Sequence, residues 1–314
     1  MITICIPSYQ RKERIKKLLT YYSELNINFR ILVGLSDENQ IYNEVVAYKN
    51  QLRIADLINI VPTPGKDVIE TMSLLLDMAD SEYAILNCDD DFLIPESLME
   101  MKEFLDKNSE YEAVNGKVLL FNSQNFFLYD YKMRSLINKT ASERLEEFSQ
   151  DYFGILFSLF RTESYKQIMD VPEIRSIPLR EEIYSSFFAS LVGKIGHIRK
   201  IFLIRSYGHE RRDMGNYIDD HSLNLMRESI GNKILETEEI TSFDLQRNID
   251  KALENYFSVK ETKLDYSFQR LLRVVLKLFR LILGNSHFQF RHLFAFSKIN
   301  SQINLAISVL NNKT

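Results

Sequence analysis

Three adjacent carboxylates, Asp89, Asp90 and Asp91, close a short apolar run, Tyr83 to Leu86, and lead straight into Phe92-Leu93-Ile94-Pro95. The run has the length and character of a buried strand. Three like charges in succession repel one another and are costly inside a packed strand, so the strand must end where they begin. A fold that accommodates them sets the strand's carboxyl end at an open sheet edge, where water or a positive partner offsets the charge. In open α/β sheets ligands bind at that edge. Hard carboxylate oxygens there suit Mg2+ or Mn2+, and such an ion bridges to a substrate's phosphates. The competing reading is a solvated acidic turn.

The sequence before this stretch supplies the rest of such a sheet. Ile2 to Ile6 reads as a strand broken by Pro7-Ser8-Tyr9-Gln10, and a helix follows from about Lys12 to Ser23 with Ile15, Leu18 and Leu19 inward. Phe29 to Leu35 is a second strand, closed by Ser36-Asp37-Glu38-Asn39 and followed by a helix over Ile41 to Gln51. Leu57 to Val61 is a third, then a Pro62-Thr63-Pro64-Gly65 loop, a helix over Asp67 to Ala79, and the strand Tyr83 to Asn87. Strands alternating with helices predict an α/β fold with a doubly wound, mostly parallel sheet.

Beyond Pro95 the pattern predicts a helix over Glu96 to Lys107 and a strand over Ala113 to Phe121. Phe127 to Glu147 is irregular, and Tyr152 to Phe160 fits strand or helix. Ser164 to Met169 and Glu181 to Val192 read as helices, and Ile195 to Arg205 as a final strand pair. From about Asn216 the pattern turns helical and more charged, dividing the chain into a domain over 1–215 and a helical C-terminal region over 216–314. Composition excludes some classes. Hydrophobic residues at 45% and charged residues at 26% describe a packed chain rather than a disordered one. A net charge of -4 gives no basic field for nucleic acid. Cys5 and Cys88 form neither a disulfide frame nor a zinc spacing, which points to a reducing cytoplasm. The segment Met1 to Pro7 lacks a basic leader, and no apolar run reaches 18 residues.

The order strand, Ile-Pro-Ser-Tyr, basic helix, strand, Ser-Asp, then a strand ending in Asp-Asp-Asp resembles a family 2-type glycosyltransferase with the GT-A fold. The likeness covers roughly Ile2 to Gly208, and Thr3 to Arg14 and Tyr83 to Pro95 carry its specific part. It implies a divalent metal, Mn2+ or Mg2+, held on the diphosphate of a nucleotide-sugar donor. On that match Asp91 is the direct metal ligand, Asp89 contacts the metal or the ribose, and Asp90 lies between them toward the sugar. Pro7, Ser8 and Tyr9 fall in the loop that touches the nucleotide. Arg11 and Arg14 add charge for phosphate, or else line a solvated helix face. Asp37 takes the place of an acid on the base or ribose, with capping of the next helix as the alternative. Lys66 approaches a phosphate or is a surface lysine.

An inverting transfer needs a general base near the acceptor hydroxyl. Glu181-Glu182, before the apolar stretch Ile183 to Val192 and Gly193-Lys194-Ile195-Gly196, resembles the family's acidic pair, helix and glycine, where the second acid is the base. Glu182 is thus the first choice and Glu181 the second; a helix N-terminus favouring acids is the plainer account. His209, in Ser206-Tyr-Gly-His-Glu-Arg-Arg212, is the candidate third metal ligand, with Arg211 and Arg212 beside the leaving diphosphate. The Ser267 to Leu283 stretch carries Arg270, Arg273, Lys277 and Arg280 at helical spacing among leucines and valines. It suits either peripheral contact with the inner face of a membrane or packing in a dimer seam. The expected activity is transfer of a sugar to a glycan or lipid-linked acceptor, in assembly of a bacterial surface glycan. The alternatives are a nucleotidyltransferase, disfavoured because Pro-Ser-Tyr-Gln has no glycine, and a non-catalytic binding module.

Overall fold

The strand that opens the chain, β1 (Ile2–Ser8), is buried almost throughout, which requires cover on both faces of the sheet around it. The computed structural model describes residues 1–122, 127–131, 133–150, 152–169, 185–206, 220–237, 247–252, 301–302 and 305–306. Strands β2 (Arg30–Leu35) and β4 (Tyr83–Leu86) lie parallel on either side of β1, and β3 (Ile58–Pro62) lies parallel beyond β2. Helices α1 (Lys12–Glu24), α2 (Asn39–Lys49) and α3 (Val68–Asp77) make the crossovers. The alternation read from the sequence is therefore the observed α/β core.

Local chemistry explains where these elements stop. Asp67 begins α3 with a capping box: its carboxylate accepts from Ile69 and Glu70 N–H, and Glu70 reaches back to the Asp67 N–H at 3.0 Å. Before it, Thr63-Pro64-Gly65-Lys66 closes a turn through Lys66 N–H to Thr63 carbonyl at 3.2 Å, with Gly65 at φ 73°. Proline then glycine in the two central positions suits such a turn. Pro95 opens α4 (Pro95–Lys107), where its missing N–H costs nothing.

The second half of the sheet is mixed. Beyond β4 come β8 (Leu159–Arg161), β6 (Tyr111–Asn122), β9 (Lys194–Ser206) and β5 (Phe92–Leu93), with β7 (Phe127–Tyr131) paired to β6. β8 is antiparallel to both β4 and β6, β9 is parallel to β6, and β5 is antiparallel to β9. The stretch expected as a strand pair, Ile195 to Arg205, is one 13-residue strand. The 12-residue β6 gives it a partner of matching length, and register shifts near Gly116 let the pair bend without breaking. Gly196 lies under the ring of Phe104, where a Cβ would collide. The irregular Phe127 to Glu147 pattern resolves into β7 and α5 (Ala141–Gln150). Tyr152 to Phe160 forms a 3-10 turn at Ile155–Phe157 and the start of β8.

Helices α6 (Thr162–Met169) and α7 (Ser185–Val192) pack on this half, with α7 also meeting α5 and α8 (Asp220–Thr237). Arg144 of α5 is buried and donates to the carbonyls of Asn138, Lys139, Ser190 and Leu191, tying α5 to the end of α7. Later residues return to this core: Asn248 Nδ2 donates to Ser142 Oγ at 2.7 Å, and Glu96 N–H to Gln302 Oε1 at 3.3 Å. Among the described residues no helix is long and apolar enough to cross a membrane. The 267–283 stretch lies outside the described residues.

A methyl group added at Gly34 of β2 would overlap Thr71 Cγ2 of α3 and crowd Leu75. Gly34→Ala should therefore destabilise the chain by about 1–3 kcal/mol, the usual range for an overpacked core. Thr71→Ser, which deletes that Cγ2, should recover most of the loss in the double variant. Urea unfolding of the two single variants and the double gives the coupling.

Candidate active site

The register of the parallel strands brings four loops to one edge. Ser8 pairs with Leu35, Leu35 with Pro62, and Cys5 with Leu86, so the segments that follow β1, β2, β3 and β4 all leave the sheet at its carboxyl end. Ser8 to Arg11, Ser36 to Asp37, Thr63 to Lys66 and Asn87 to Asp91 thus share one rim.

The loop after β1 is held in an unusual shape. Gln10 sits in the left-handed region at φ 55°, a conformation that costs a non-glycine residue free energy unless its surroundings fix it. Its N–H donates to Asp37 Oδ1 at 2.8 Å, and Ser36 N–H donates to the Ser8 carbonyl at 3.1 Å. Asp37 does not cap the following helix: the N-cap of α2 is Glu38, which makes no side-chain cap bond. Asp37 instead fixes the loop after β1 with one oxygen. Its other oxygen, Oδ2, is buried and has no hydrogen-bond partner among the described residues. A buried acceptor in that condition is costly unless a ligand donor meets it.

Each aspartate of the cluster has its own arginine. Asp89, 3% exposed, accepts from Ser8 Oγ at 2.8 Å and from Arg11 at 3.0 Å. Asp90, more open, accepts from Arg14 at 2.6 Å. Asp91, 1% exposed, has Arg205 Nε 3.6 Å from its Oδ2, an ion pair longer than a hydrogen bond. Asn87 fastens the turn, donating from Nδ2 to the Asp91 carbonyl at 2.9 Å and toward Tyr22 Oη at 3.4 Å. Arg205 was not foreseen from the sequence. It reaches Asp91 because β5 pairs with β9 in a register that sets Phe92 opposite Ile204, and its guanidinium stacks 4.7 Å from the Phe157 ring.

The donor set fits a hard divalent cation in part. Ligand atoms of Cys88, Asp90 and Asp91 lie within 4.8 Å of one another. Two oxygens on one Mg2+ or Mn2+ stand no more than about 4.2 Å apart, so a small side-chain rotation closes the gap. Burial, with the Asp91 charge adding to it, pushes the Cys88 thiol well above its usual range, and a soft sulfur suits a hard cation poorly. The carboxylates of Asp90 and Asp91 are the groups that could hold such an ion. Asp89, expected as a metal or ribose contact, accepts hydrogen bonds from Ser8 and Arg11 at the β1 side of the rim.

Of the remaining expected residues, Pro7 lies within β1 opposite Gly34, Tyr9 stands exposed with its hydroxyl accepting from Gln10 Nε2 at 2.9 Å, and Lys66 is exposed. Glu181, Glu182, His209, Arg211 and Arg212 lie outside the described residues.

No protein-family model and no curated protein matches the sequence. Solved structures do match the fold. S. aureus TarS 1-349 in complex with UDP-GlcNAc superposes with a TM-score of 0.57 over 85% of this chain and 77% of that one, at 16% identity. The same TarS fragment without a named ligand matches at a TM-score of 0.57 over 99% of this chain and 89% of that one, at 12% identity. Against a further TarS structure the TM-score is 0.55 and the identity 16%; the match covers 82% of this chain but only 43% of that one. These likenesses show a shared fold, the GT-A-like α/β arrangement expected from the sequence.

Burial raises the Asp89 carboxyl above the ordinary range despite the Ser8 and Arg11 hydrogen bonds, which pull it down. A carboxyl raised on folding stabilises the fold below its unfolded pKa of about 3.9 and loses that contribution as pH rises through the folded value. Asp89→Asn removes this dependence. In chelator, its urea midpoint relative to the parent should therefore move upward between pH 3.5 and pH 7; a difference that is flat or moves downward contradicts the assignment.

Proposed function

We propose that this chain is a metal-assisted glycosyltransferase that takes its sugar from a nucleotide-diphosphate donor and passes it, with inversion, to a glycan or lipid-linked acceptor. The observation that carries the reading is the Asp89-Asp90-Asp91 turn at the carboxyl end of a central parallel strand, on a rim shared with the β1 and β2 loops. The fold shared with a TarS fragment bound to UDP-GlcNAc supports a uridine diphosphate donor as the first to test.

Each group on the rim then has work to do. Asp37 Oδ2 accepts from the base or ribose, where it would otherwise lie buried without a donor. Tyr9, exposed beside it, offers a flat face for the base. Ser8 and Arg11 hold Asp89 so that the loop after β1 keeps its shape around the nucleotide. Asp90 and Asp91 would hold Mn2+ or Mg2+, with His209 as a further ligand. The bound ion would offset the negative charge that gathers on the departing diphosphate. Glu182, with Glu181 as second choice, takes the proton from the acceptor hydroxyl as it attacks the anomeric carbon from the face opposite the diphosphate. The basic 267–283 stretch would meet a membrane surface or a second copy of the chain.

Asp91→Asn should fold as the parent does and lose turnover. The substitution removes a charged ligand and also relieves repulsion from Asp90. Near-normal turnover at limiting Mn2+ would sink the metal assignment, with UDP-GlcNAc, UDP-glucose and UDP-galactose as the first donors tried and thermal shift reporting the fold.

Glu182→Gln should lower kcat by about 10²–10⁴-fold while donor affinity changes little, because the amide keeps the shape and cannot take the proton. Activity in Glu182→Gln together with its loss in Glu181→Gln would move the base by one residue.

A further inference from the structure

The three aspartates do not wait with open charge. Arg11, Arg14 and Arg205 come from two separate segments, the start of α1 and the end of β9, and each pairs with a different carboxylate, so the cluster is already compensated. A divalent cation entering between Asp90 and Asp91 meets a site with little net attraction, where each carboxylate already carries a guanidinium on one of its oxygens. Arg11 is held apart from this conflict, because Asp89 faces Ser8 and the nucleotide loop.

We infer that Arg14 and Arg205 are resident counter-cations, which yield Asp90 and Asp91 to an entering Mn2+ or Mg2+ and turn to the donor's diphosphate. The geometry suits such an exchange. Arg14 and Arg205 are partly exposed, at 34% and 27% of their side chains, so each has room to swing, while Asp91 is fixed by the Asn87 clamp on its own carbonyl. The Arg205 contact, at 3.6 Å, is looser than the 2.6 Å bond of Arg14. Phe157 gives Arg205 a second resting surface when it leaves the carboxylate. A bare cation must then displace both arginines and brings no anion of its own to receive them. A nucleoside diphosphate brings that anion. The metal and the diphosphate therefore bind cooperatively, each raising the affinity for the other by the same factor. The diphosphate half of this inference rests on the nucleotide-sugar reading; the competition between arginine and metal does not.

The test titrates Mn2+ alone onto the full chain and follows free Mn2+ by its electron paramagnetic resonance signal. The parent, Arg205→Gln, Arg14→Gln, Arg205→Lys and Asp91→Asn are compared, with thermal unfolding reporting the fold of each. Arg205→Gln and Arg14→Gln should each bind Mn2+ about ten-fold or more tightly than the parent, the order expected when one like charge leaves a site a few ångströms away. Arg205→Lys should stay near the parent, and Asp91→Asn should lose the site. Repeating the titration with UDP present should tighten Mn2+ binding strongly in the parent and less in the two glutamine variants. Unchanged or weaker Mn2+ affinity in both folded glutamine variants overturns the inference, as does no Mn2+ binding by any form. If the glutamine variants bind Mn2+ tightly but the parent binds no UDP, the counter-cation role stands and the nucleotide-sugar reading fails. If a UDP-sugar turns over while Mn2+ affinity ignores the arginines, the reading stands and the exchange fails.

Discussion

Everything at the candidate site depends on how a folded chain tolerates three consecutive carboxylates next to a buried strand. Two of them, Asp89 and Asp91, are almost wholly excluded from water. An unpaired charge in such a place is far too costly to persist. The parallel sheet solves this by ending four strands at one rim and letting the α1 segment supply Arg11 and Arg14 from above the β1 turn. The antiparallel β5–β9 pair supplies Arg205 from the other side. The acidic turn is therefore a joint between the parallel and mixed halves of the sheet, and its charge balance requires both to be in place.

Much of the first half was legible in the sequence because its signals are local. Each early strand is a short apolar run stopped by proline, serine or aspartate, and the α3 start is announced by the Asp67–Glu70 capping box. The acidic rim was legible for the same reason: charge after an apolar run has few places to go. Asp37 lies after β2 as the sequence order implies, but its tie to the Gln10 N–H was not readable, since that bond depends on a left-handed residue in a neighbouring loop.

The second half hid more, because its order is set by pairing rather than by periodicity. The expected strand pair over Ile195 to Arg205 is one strand, and β9 runs through Gly196, where the Phe104 ring fills the space a side chain would take. Arg205 read as the ragged end of a strand. Only the two-residue β5, which no window of sequence would single out, turns it toward Asp91. Arg144 falls in a stretch that read only as irregular and is a buried brace between α5 and α7.

That short β5 also sets an order of events during synthesis. Arg11 and Arg14 leave the ribosome before the aspartates they neutralise, so the acidic turn emerges with two of its partners at hand. The third partner is encoded far downstream, after β6, β7 and β8 have all been made. A nascent chain therefore carries an acidic turn that is only partly compensated until β9 docks, and contacts between such distant segments form late. The rim is thus completed from the far end of the domain backward, and a chain cut short before β9 would expose the charge its first half was shaped to hold.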